Sequence, residues 1–220
     1  MSALRLATIA ETVFILVVMI DFFVLASSRL KAAIRAVAAQ GALLALLPLL
    51  LAPQELHVLH VLALSLGALL VKGIAIPWML GWAMREASVS REVEPVVGYV
   101  PSLVLGGLGV MLAFAFSATL PLPTPERHPY LVATSLSTVW TGMLLVVSRK
   151  KAVSQVLGFL VLENGVFVFG LLLSDFMPWM VEAGVLLDLF AAVFVMGIVI
   201  FHIHRTFSSM DTEKLSALRD

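Results

Sequence analysis

The sequence contains no cysteine, and only 13% of its 220 residues are charged. Without cysteine the chain can form no disulfide, no thiolate metal site and no cysteine-bound iron–sulfur cluster. Soluble domains carry about 25% charged residues, so this chain cannot cover its surface with polar groups in water. The formal net charge is zero, which argues against a nucleic-acid partner. These absences indicate a protein whose solvent is mostly the lipid bilayer.

What the sequence has in abundance is apolar residues, which make up 61% of the chain. They occur in runs long enough to cross a bilayer, for which a helix needs about 20 residues. The breaks between the runs carry proline or charged residues, which are typical of loops. We therefore predict an all-α integral membrane protein with about seven transmembrane helices, at residues 6–27, 33–52, 57–83, 96–119, 129–148, 153–174 and 178–203.

Lysine and arginine residues are distributed unequally between the loops on the two sides of the membrane. Seven helices place alternate loops on opposite sides, and one side receives only Arg5 and Arg127. Cytoplasmic loops of membrane proteins are enriched in these cations, so we predict an external N-terminus and a cytoplasmic C-terminus. The cations on the cytoplasmic side are Arg29, Lys31, Arg35, Arg85, Arg91, Arg149, Lys150, Lys151, Arg205, Lys214 and Arg219.

Two short basic segments suggest an internal repeat. Residues 28–32 (SRLKA) match residues 148–152 (SRKKA), and each joins the first helix of a triplet to its second. Helices 1–3 would then correspond to helices 5–7 as parallel repeats, with helix 4 as the connector. The predicted parts are an N-terminal three-helix bundle (1–95), a connecting helix with a proline-rich loop (96–128), and a C-terminal three-helix bundle with a short cytoplasmic tail (129–220).

Three charged residues lie near the centres of predicted helices: Lys72 in the third, Glu163 in the sixth and Asp188 in the seventh. A charge at the bilayer centre costs about 2.5–3.5 kcal/mol on insertion scales, so such residues usually face the bundle interior and have a function. Burial favours the neutral form of a carboxyl, whereas a nearby lysine favours the ionised form, and a carboxyl balanced between the two can exchange protons. We predict a proton relay of Glu163, Lys72 and Asp188. The alternative is a buried carboxyl that only holds helices together.

Three further residues are secondary relay candidates. Asp21 lies in the cytoplasmic half of the first helix, and Glu182 lies in the outer quarter of the seventh, where it can reach the interface. His202 follows Asp188 at a spacing that puts both residues on one face of a helix.

Lys72 is followed by Gly73 and then by Pro77. A proline at this position cannot donate a backbone hydrogen bond to the carbonyl of Gly73. The freed carbonyl predicts a local kink beside the buried lysine, which either hosts water or serves helix packing. The sequence has no phosphate-binding loop, nucleophile–base pair or metal-ligand cluster, so we predict no metal site and no bond-making chemistry by this chain alone.

The C-terminal third carries a combination of motifs that resembles a known family. Arg149-Lys150-Lys151 precedes a helix with a central Leu162-Glu163-Asn164, and the next helix has Ala191-Ala192 and ends in His204-Arg205. This arrangement resembles the NuoK subunit of respiratory complex I and the related MrpC subunit of multisubunit cation/proton antiporters. Over nearly the whole chain, its length, Lys72-Gly73 before a proline, and the run 161–165 (VLENG) resemble the hydrogenase-4 component E (HyfE) family of formate hydrogenlyase complexes.

The resemblance implies that Glu163 belongs to the central proton path of NuoK-like subunits. The family's second glutamate is missing: Ala192 stands in its place, and Asp188 is one helical turn away as a substitute. The chain would be a non-catalytic, proton-translocating subunit without its own cofactor, in the membrane arm of a hydrogenase-4/formate hydrogenlyase-type respiratory complex of the inner (plasma) membrane.

The complex, by the same resemblance, couples electron transfer to proton or sodium movement. Its other parts would be antiporter-like membrane subunits and a peripheral hydrogenase arm that holds the [NiFe] centre and the iron–sulfur clusters. Two alternatives stay open: a subunit of a multisubunit cation/proton antiporter, and a purely structural membrane scaffold.

Overall fold

The computed structural model describes residues 2–51, 58–86, 95–120 and 130–173, together with residues 190, 193 and 197. All regular secondary structure in these residues is helical, which confirms the predicted all-α class for this part of the chain. The elements are α1 (Ser2–Ala26), α2 (Leu30–Leu51), α3 (Val58–Ala68), a π-helical segment (Leu69–Ala75), α4 (Ile76–Glu86), α5 (Tyr99–Ser117), α6 (Leu131–Ser148) and α7 (Ala152–Leu173).

Six helical stretches within the described residues are long and apolar enough to cross a bilayer: Thr8–Ala26, Leu30–Leu51, Val61–Trp82, Tyr99–Ser117, Leu131–Ser148 and Ala152–Leu172. They match the first six predicted spans to within a few residues at each end. The third span is composite, since it combines most of α3, the π-helical segment and most of α4. The seventh predicted span, residues 178–203, lies outside the described residues except for helical residues 190, 193 and 197. The chain is therefore a multi-pass helical membrane protein.

Large apolar side chains on the outer faces of the helices are consistent with contact to lipid. Met19 on α1, Trp78 on α4, Met111 on α5 and Val147 on α6 are each more than half exposed. In water such a surface would be unfavourable, whereas in a bilayer it is the expected exterior of a helix bundle.

Two helix hairpins form the frame of the bundle. Short links, residues 27–29 between α1 and α2 and residues 149–151 between α6 and α7, hold each pair antiparallel and side by side. The two hairpins meet where α1 packs on α6 and where α2 packs on α7. The composite third span packs on α2, and α5 packs on α1 and α6.

Helices α6 and α7 approach so closely that glycine is required at their contact. A Cβ atom built on Gly142 would overlap the backbone of Leu162, and one built on Gly158 would lie 2.7 Å from the backbone nitrogen of Val146. Small residues allow this kind of backbone approach in membrane helices. The close contact fixes the position of the polar residues that α6 and α7 carry at mid-height.

Two apolar clusters divide the bundle interior along its length. One cluster lies toward the basic links and contains Leu25, Leu30, Ile34, Leu80, Met84, Leu145, Val156 and Leu160, among others. The other lies toward the opposite end and contains Ala10, Phe14, Val17, Leu44, Leu47, Leu131, Phe167 and Leu171. On α1, α2, α6 and α7 the residues between these clusters include buried polar ones, which therefore form a layer between the two apolar clusters.

Arg149, which the sequence places in a basic loop, is buried and ties three helices together. Its Nη2 donates a 2.6 Å hydrogen bond to the carbonyl of Leu25, in the last turn of α1. Its guanidinium lies 4.6 Å from the ring centroid of Tyr99, at the start of α5. A cation at the C-terminal end of a helix also interacts favourably with the helix dipole. Arg149 therefore stabilises the packing of α1 and α5 against the link between α6 and α7.

Replacement of Arg149 by leucine is expected to lower the stability of the protein in detergent by about 2 kcal/mol, the sum of a charge-assisted hydrogen bond and a cation–π contact. Unfolding of the purified variant by a denaturing detergent measures this loss. The matched control is Lys150→Leu, because Lys150 is exposed in the same link, and we expect no measurable change for it. Equal stability of the two variants would contradict the role given to Arg149.

Candidate functional site

The π-helical segment Leu69–Ala75 carries Lys72 into the bundle interior. The backbone N–H of Ile76 bonds to the carbonyl of Val71, five residues earlier, instead of the carbonyl four residues earlier. Pro77 has no N–H to donate to Gly73, so the regular pattern cannot resume at once. Where the sequence predicts a local kink, the structure has a π-helical segment, a feature often found at functional sites.

Gly41 on α2 allows the backbone of this segment to come close. A Cβ atom at Gly41 would lie 2.7 Å from Cβ of Lys72 and 3.3 Å from its carbonyl carbon. Only glycine leaves room for the lysine backbone at this crossing. The small residue on α2 therefore helps to set where the Lys72 side chain begins.

Lys72 and Glu163 form a buried ion pair between the third span and α7. Lys72 Nζ lies 2.6 Å from Glu163 Oε1, and the two side chains are 3% and 1% exposed. The same ammonium donates to Asn164 Oδ1 at 3.1 Å and lies 4.8 Å from the ring centroid of Phe167. The sequence placed both residues near the middle of their helices without pairing them, and the structure brings them into direct contact.

From this pair a continuous series of hydrogen bonds crosses the bundle to α1. Asn164 Nδ2 donates to Gln40 Oε1 at 3.0 Å, and Gln40 Nε2 donates to Asp21 Oδ1 at 2.8 Å. Thr138 Oγ1 on α6 donates to the second carboxylate oxygen, Asp21 Oδ2, at 2.7 Å. We call this series the polar chain; its members are Asp21, Gln40, Lys72, Thr138, Glu163 and Asn164, all of them buried.

The polar chain includes one residue that the sequence ranked as secondary. Asp21 takes two hydrogen bonds and is linked to Lys72 by two amide side chains. Asp188, Glu182 and His202 lie outside the described residues, so their proposed roles stay predictions.

Gln40 and Thr138 were missed from the sequence, although each left a signal. Gln40 is the sole amide in α2, an otherwise apolar helix with basic residues only near its start. Thr138 is one of several hydroxyl residues of α6 that are buried, together with Thr134, Ser135, Ser137 and Thr141. Each of these hydroxyls could bond within its own helix, so only the three-dimensional structure separates Thr138 from its neighbours.

A small cavity of about 10 Å³ lies beside the ion pair. Its polar lining comes from Lys72, Glu163 and Asn164, and its apolar lining includes Ile34 and Leu157, which lie toward the basic links. A polar cavity of this volume has room for about one water molecule. The site therefore has space for water on the side of the ion pair that faces the basic end of the bundle.

The site suits the exchange of protons between fixed groups. It joins one amine and two carboxyls through short hydrogen bonds, and a carboxyl buried beside an amine can exchange a proton with it. The fold and the site thus define a multi-pass helical membrane protein with ionisable groups buried at mid-height.

Comparisons with known proteins agree with this class. The family model for NADH-ubiquinone/plastoquinone oxidoreductase chain 4L matches residues 130–220. An uncharacterized protein of Mycobacterium tuberculosis is 33% identical over 192 residues, which cover 87% of each chain. Hydrogenase-4 component E of Escherichia coli K12 is 27% identical over 155 residues, 70% of this chain and 72% of that protein. No solved structure matches.

The chain belongs to the family of NuoK-like membrane proteins that includes hydrogenase-4 component E. The family model covers α6 and α7, and with them Thr138, Glu163 and Asn164. Asp21, Gln40 and Lys72 lie before it, so half of the polar chain is supplied by the N-terminal part of the protein.

Proposed function

We propose that this chain is a non-catalytic membrane-arm subunit of a complex I-related complex of the hydrogenase-4 type, and that it carries protons through the polar chain. Electron transfer would take place in partner subunits that hold the metal centres. The proposal rests above all on the 2.6 Å ion pair of Lys72 and Glu163, buried between two apolar layers of a membrane bundle.

The charges of the site support a role in proton transfer. When all three groups are ionised, Lys72 supplies one positive charge against two negative charges from Glu163 and Asp21. A surplus negative charge is costly in a low-dielectric interior. Uptake of one proton by either carboxyl removes the surplus, so the site can hold a proton that is shared among several positions.

Family membership supports the assembly and the topology that we propose. The names of the relatives, a chain 4L of a quinone oxidoreductase and a component of hydrogenase-4, both describe parts of multisubunit enzymes. We therefore propose other membrane subunits and a hydrogenase arm as partners, in the inner membrane. The basic links at residues 27–29 and 149–151 would face the cytoplasm, and a seventh span at residues 178–203 would complete a second, parallel triplet of helices.

The Glu163→Gln variant tests this function in the intact complex. Glutamine keeps the size of the side chain and a hydrogen-bond acceptor for Lys72, but it cannot take up a proton. We expect the complex to assemble with normal subunit content and proton translocation to fall at least tenfold. Translocation is measured with a pH-sensitive dye in vesicles that contain the purified complex.

Glu11→Gln is the matched control, since Glu11 lies on α1 away from the polar chain and is only half-buried. It should translocate protons at the unmodified rate. Full translocation by Glu163→Gln would exclude the relay, and loss of assembly in that variant would favour the scaffold alternative. Identification of the subunits that co-purify with the chain separates a hydrogenase complex from a cation/proton antiporter.

A further inference from the structure

The hydrogen bonds of the polar chain between Lys72 and Asp21 all point in one direction. The Lys72 ammonium can only donate, so Asn164 presents its oxygen to it. Asn164 must then use its nitrogen toward Gln40, and Gln40 in turn uses its nitrogen toward Asp21. An ionised Asp21 can only accept, which completes the series. The orientation of both amides is thus fixed by the charge of the residue at each end.

We propose that Asn164 and Gln40 form an orientational relay that couples the protonation of Asp21 to that of Lys72. The inference rests on the proposed proton-carrying function and adds Asp21 as its second carboxyl. In this role Gln40 and Asn164 are positioning residues, and no proton passes through them. Because the two amides must share one orientation, the protonation state of Lys72 affects that of Asp21, and the reverse.

The relay has two self-consistent states. In the first, Lys72 is an ammonium and Asp21 a carboxylate, as the hydrogen bonds of the structure require. In the second, Lys72 has given a proton to Glu163, which becomes a neutral acid while Lys72 becomes a neutral amine. Asp21 has taken a proton from hydronium and released water. Both amides are then reversed: Asp21 donates to Gln40, Gln40 to Asn164, and Asn164 to the lone pair of the amine.

Mixed states leave two donors or two acceptors face to face. If Lys72 stays an ammonium while the amides are reversed, the amide nitrogen of Asn164 faces Nζ with no acceptor between them. If Asp21 stays a carboxylate while the amides are reversed, the amide oxygen of Gln40 faces a carboxylate oxygen with no donor between them. Such contacts are unfavourable in a buried site, where an unmade hydrogen bond costs more than at the surface. The penalty makes the two ends change together.

Several charged groups outside the polar chain come from elements packed near Asp21. The buried Arg149 binds the carbonyl of Leu25, one helical turn beyond Asp21 on α1. Gln40 from α2 and Thr138 from α6 are its hydrogen-bond partners. The charged residues of α2, Lys31 and Arg35, belong to its first two turns, and α5 and α6 carry no charged residue. On its own helix, Glu11 is nearly three turns away, and on α7 the charged residue is Glu163, which acts through Lys72.

The experiment follows the Asp21 carboxyl by infrared spectroscopy in the intact complex. Its C=O band is assigned from the difference between the unmodified complex and Asp21→Asn, and its titration midpoint is measured with Glu163 present and with Glu163→Gln. Glu163→Gln removes both the proton acceptor and the counter-charge of Lys72 and so changes the protonation equilibrium of the lysine. If the relay couples the two ends, we expect the Asp21 midpoint to move by about one pH unit, typical of residues within one hydrogen-bonded network.

In the second part of the experiment one of the two amides is replaced, which interrupts the relay, while Lys72 and Asp21 are kept. In a Gln40→Met background, or in an Asn164→Leu background if the first does not assemble, the shift caused by Glu163→Gln should fall to less than half. Ser65→Ala is the matched control, because Ser65 is a buried polar residue of α3 whose hydroxyl has no hydrogen-bond partner among the described residues. In that background the full shift should remain.

Each outcome decides one question. A shift that is equally large with and without Gln40 would overturn the relay, because the two ends would then be coupled directly through space. The relay would also be overturned if Glu163→Gln did not move the Asp21 midpoint when Gln40 and Asn164 are both present. The proposed function fails separately, if Glu163→Gln translocates protons normally, since the infrared midpoints are measured without translocation.

Discussion

Replacement of Lys72 by methionine is expected to abolish proton translocation and to destabilise the protein by about 3–5 kcal/mol, the cost of removing one partner of a buried ion pair. Methionine fills a similar volume, so packing between the third span and α7 is largely kept. What is lost is the ammonium that holds Glu163 at 2.6 Å and Asn164 at 3.1 Å. The polar chain then contains two carboxyls and no cation.

A double variant separates the charge effect from a packing effect. Lys72→Met combined with Glu163→Gln removes both members of the pair, so Glu163 is no longer a carboxylate without its counter-charge, and Asp21 is the ionisable group that stays in the polar chain. We expect this variant to regain most of the stability that Lys72→Met loses, because replacement of a whole buried pair by neutral groups is often nearly neutral. Translocation should stay absent, since neither a donor nor an acceptor of protons remains at this position.

Both variants are compared with Lys31→Met, in which the same substitution is made at an exposed lysine of α2. A surface change of this kind is expected to alter stability by less than about 0.5 kcal/mol. Unfolding curves in mixed detergent micelles and dye-monitored translocation give the two readouts. If the double variant is no more stable than Lys72→Met, the destabilisation comes from packing and the electrostatic account is wrong.

The general architecture and two residues of the site could be predicted from the sequence because burial of charge in lipid is expensive. Long apolar runs specify membrane helices almost by themselves, and Lys72 and Glu163 stand out as charges at the middle of two such runs. Their equal depth follows from the constant rise of a helix. The same reasoning identified Asp21 but gave it a lower rank, since it lies in the cytoplasmic half of its helix and not at the centre.

The rest of the site depends on how the helices are rotated and shifted, which a single sequence does not specify. Whether Asp21 reaches the depth of Lys72 depends on the offset of α1 against α2, and that offset is set by packing at residues such as Leu25 and Phe14. Amides and hydroxyls are tolerated on many faces of a membrane helix, so Gln40 and Thr138 carry too little signal by themselves. The sequence predicted a kink near Pro77 and not the π-helical segment that the structure has there.

The placement of the polar chain between two apolar clusters bears on how protons could be controlled. Side chains such as Phe14 and Phe167 close one end, and Leu80 and Leu157 lie at the other. Among the described residues, the cavity beside Lys72 and Glu163 offers space for water next to the ion pair. If protons enter near the ion pair and Asp21 changes its protonation state in response, proton transfer along the polar chain has a direction across the bundle. A simple pore has no such direction.

Replacement of Gly165 by alanine is expected to lower stability by about 1–3 kcal/mol, the usual cost of an added methyl group in a well-packed interior. A Cβ atom at this position would lie 2.6 Å from the backbone nitrogen of Val139 and 2.9 Å from the carbonyl oxygen of Ser135. Backbone atoms cannot rotate out of the way as a flexible side chain can. Helices α6 and α7 must therefore separate, which moves Thr138 relative to Asn164 and Glu163.

The effect on function should exceed the effect on stability, because hydrogen bonds at 2.7–3.1 Å weaken steeply when their groups shift. We expect proton translocation by Gly165→Ala to fall several-fold in complexes that still assemble. Gly67→Ala is the matched control: no described atom lies within 4 Å of a Cβ there, and alanine stabilises a helix over glycine by about 0.5–1 kcal/mol. Opposite signs of the two stability changes, read from the same unfolding assay, are the expected result. A stable, fully active Gly165→Ala variant would mean that the contact of α6 with α7 does not hold the polar chain in place.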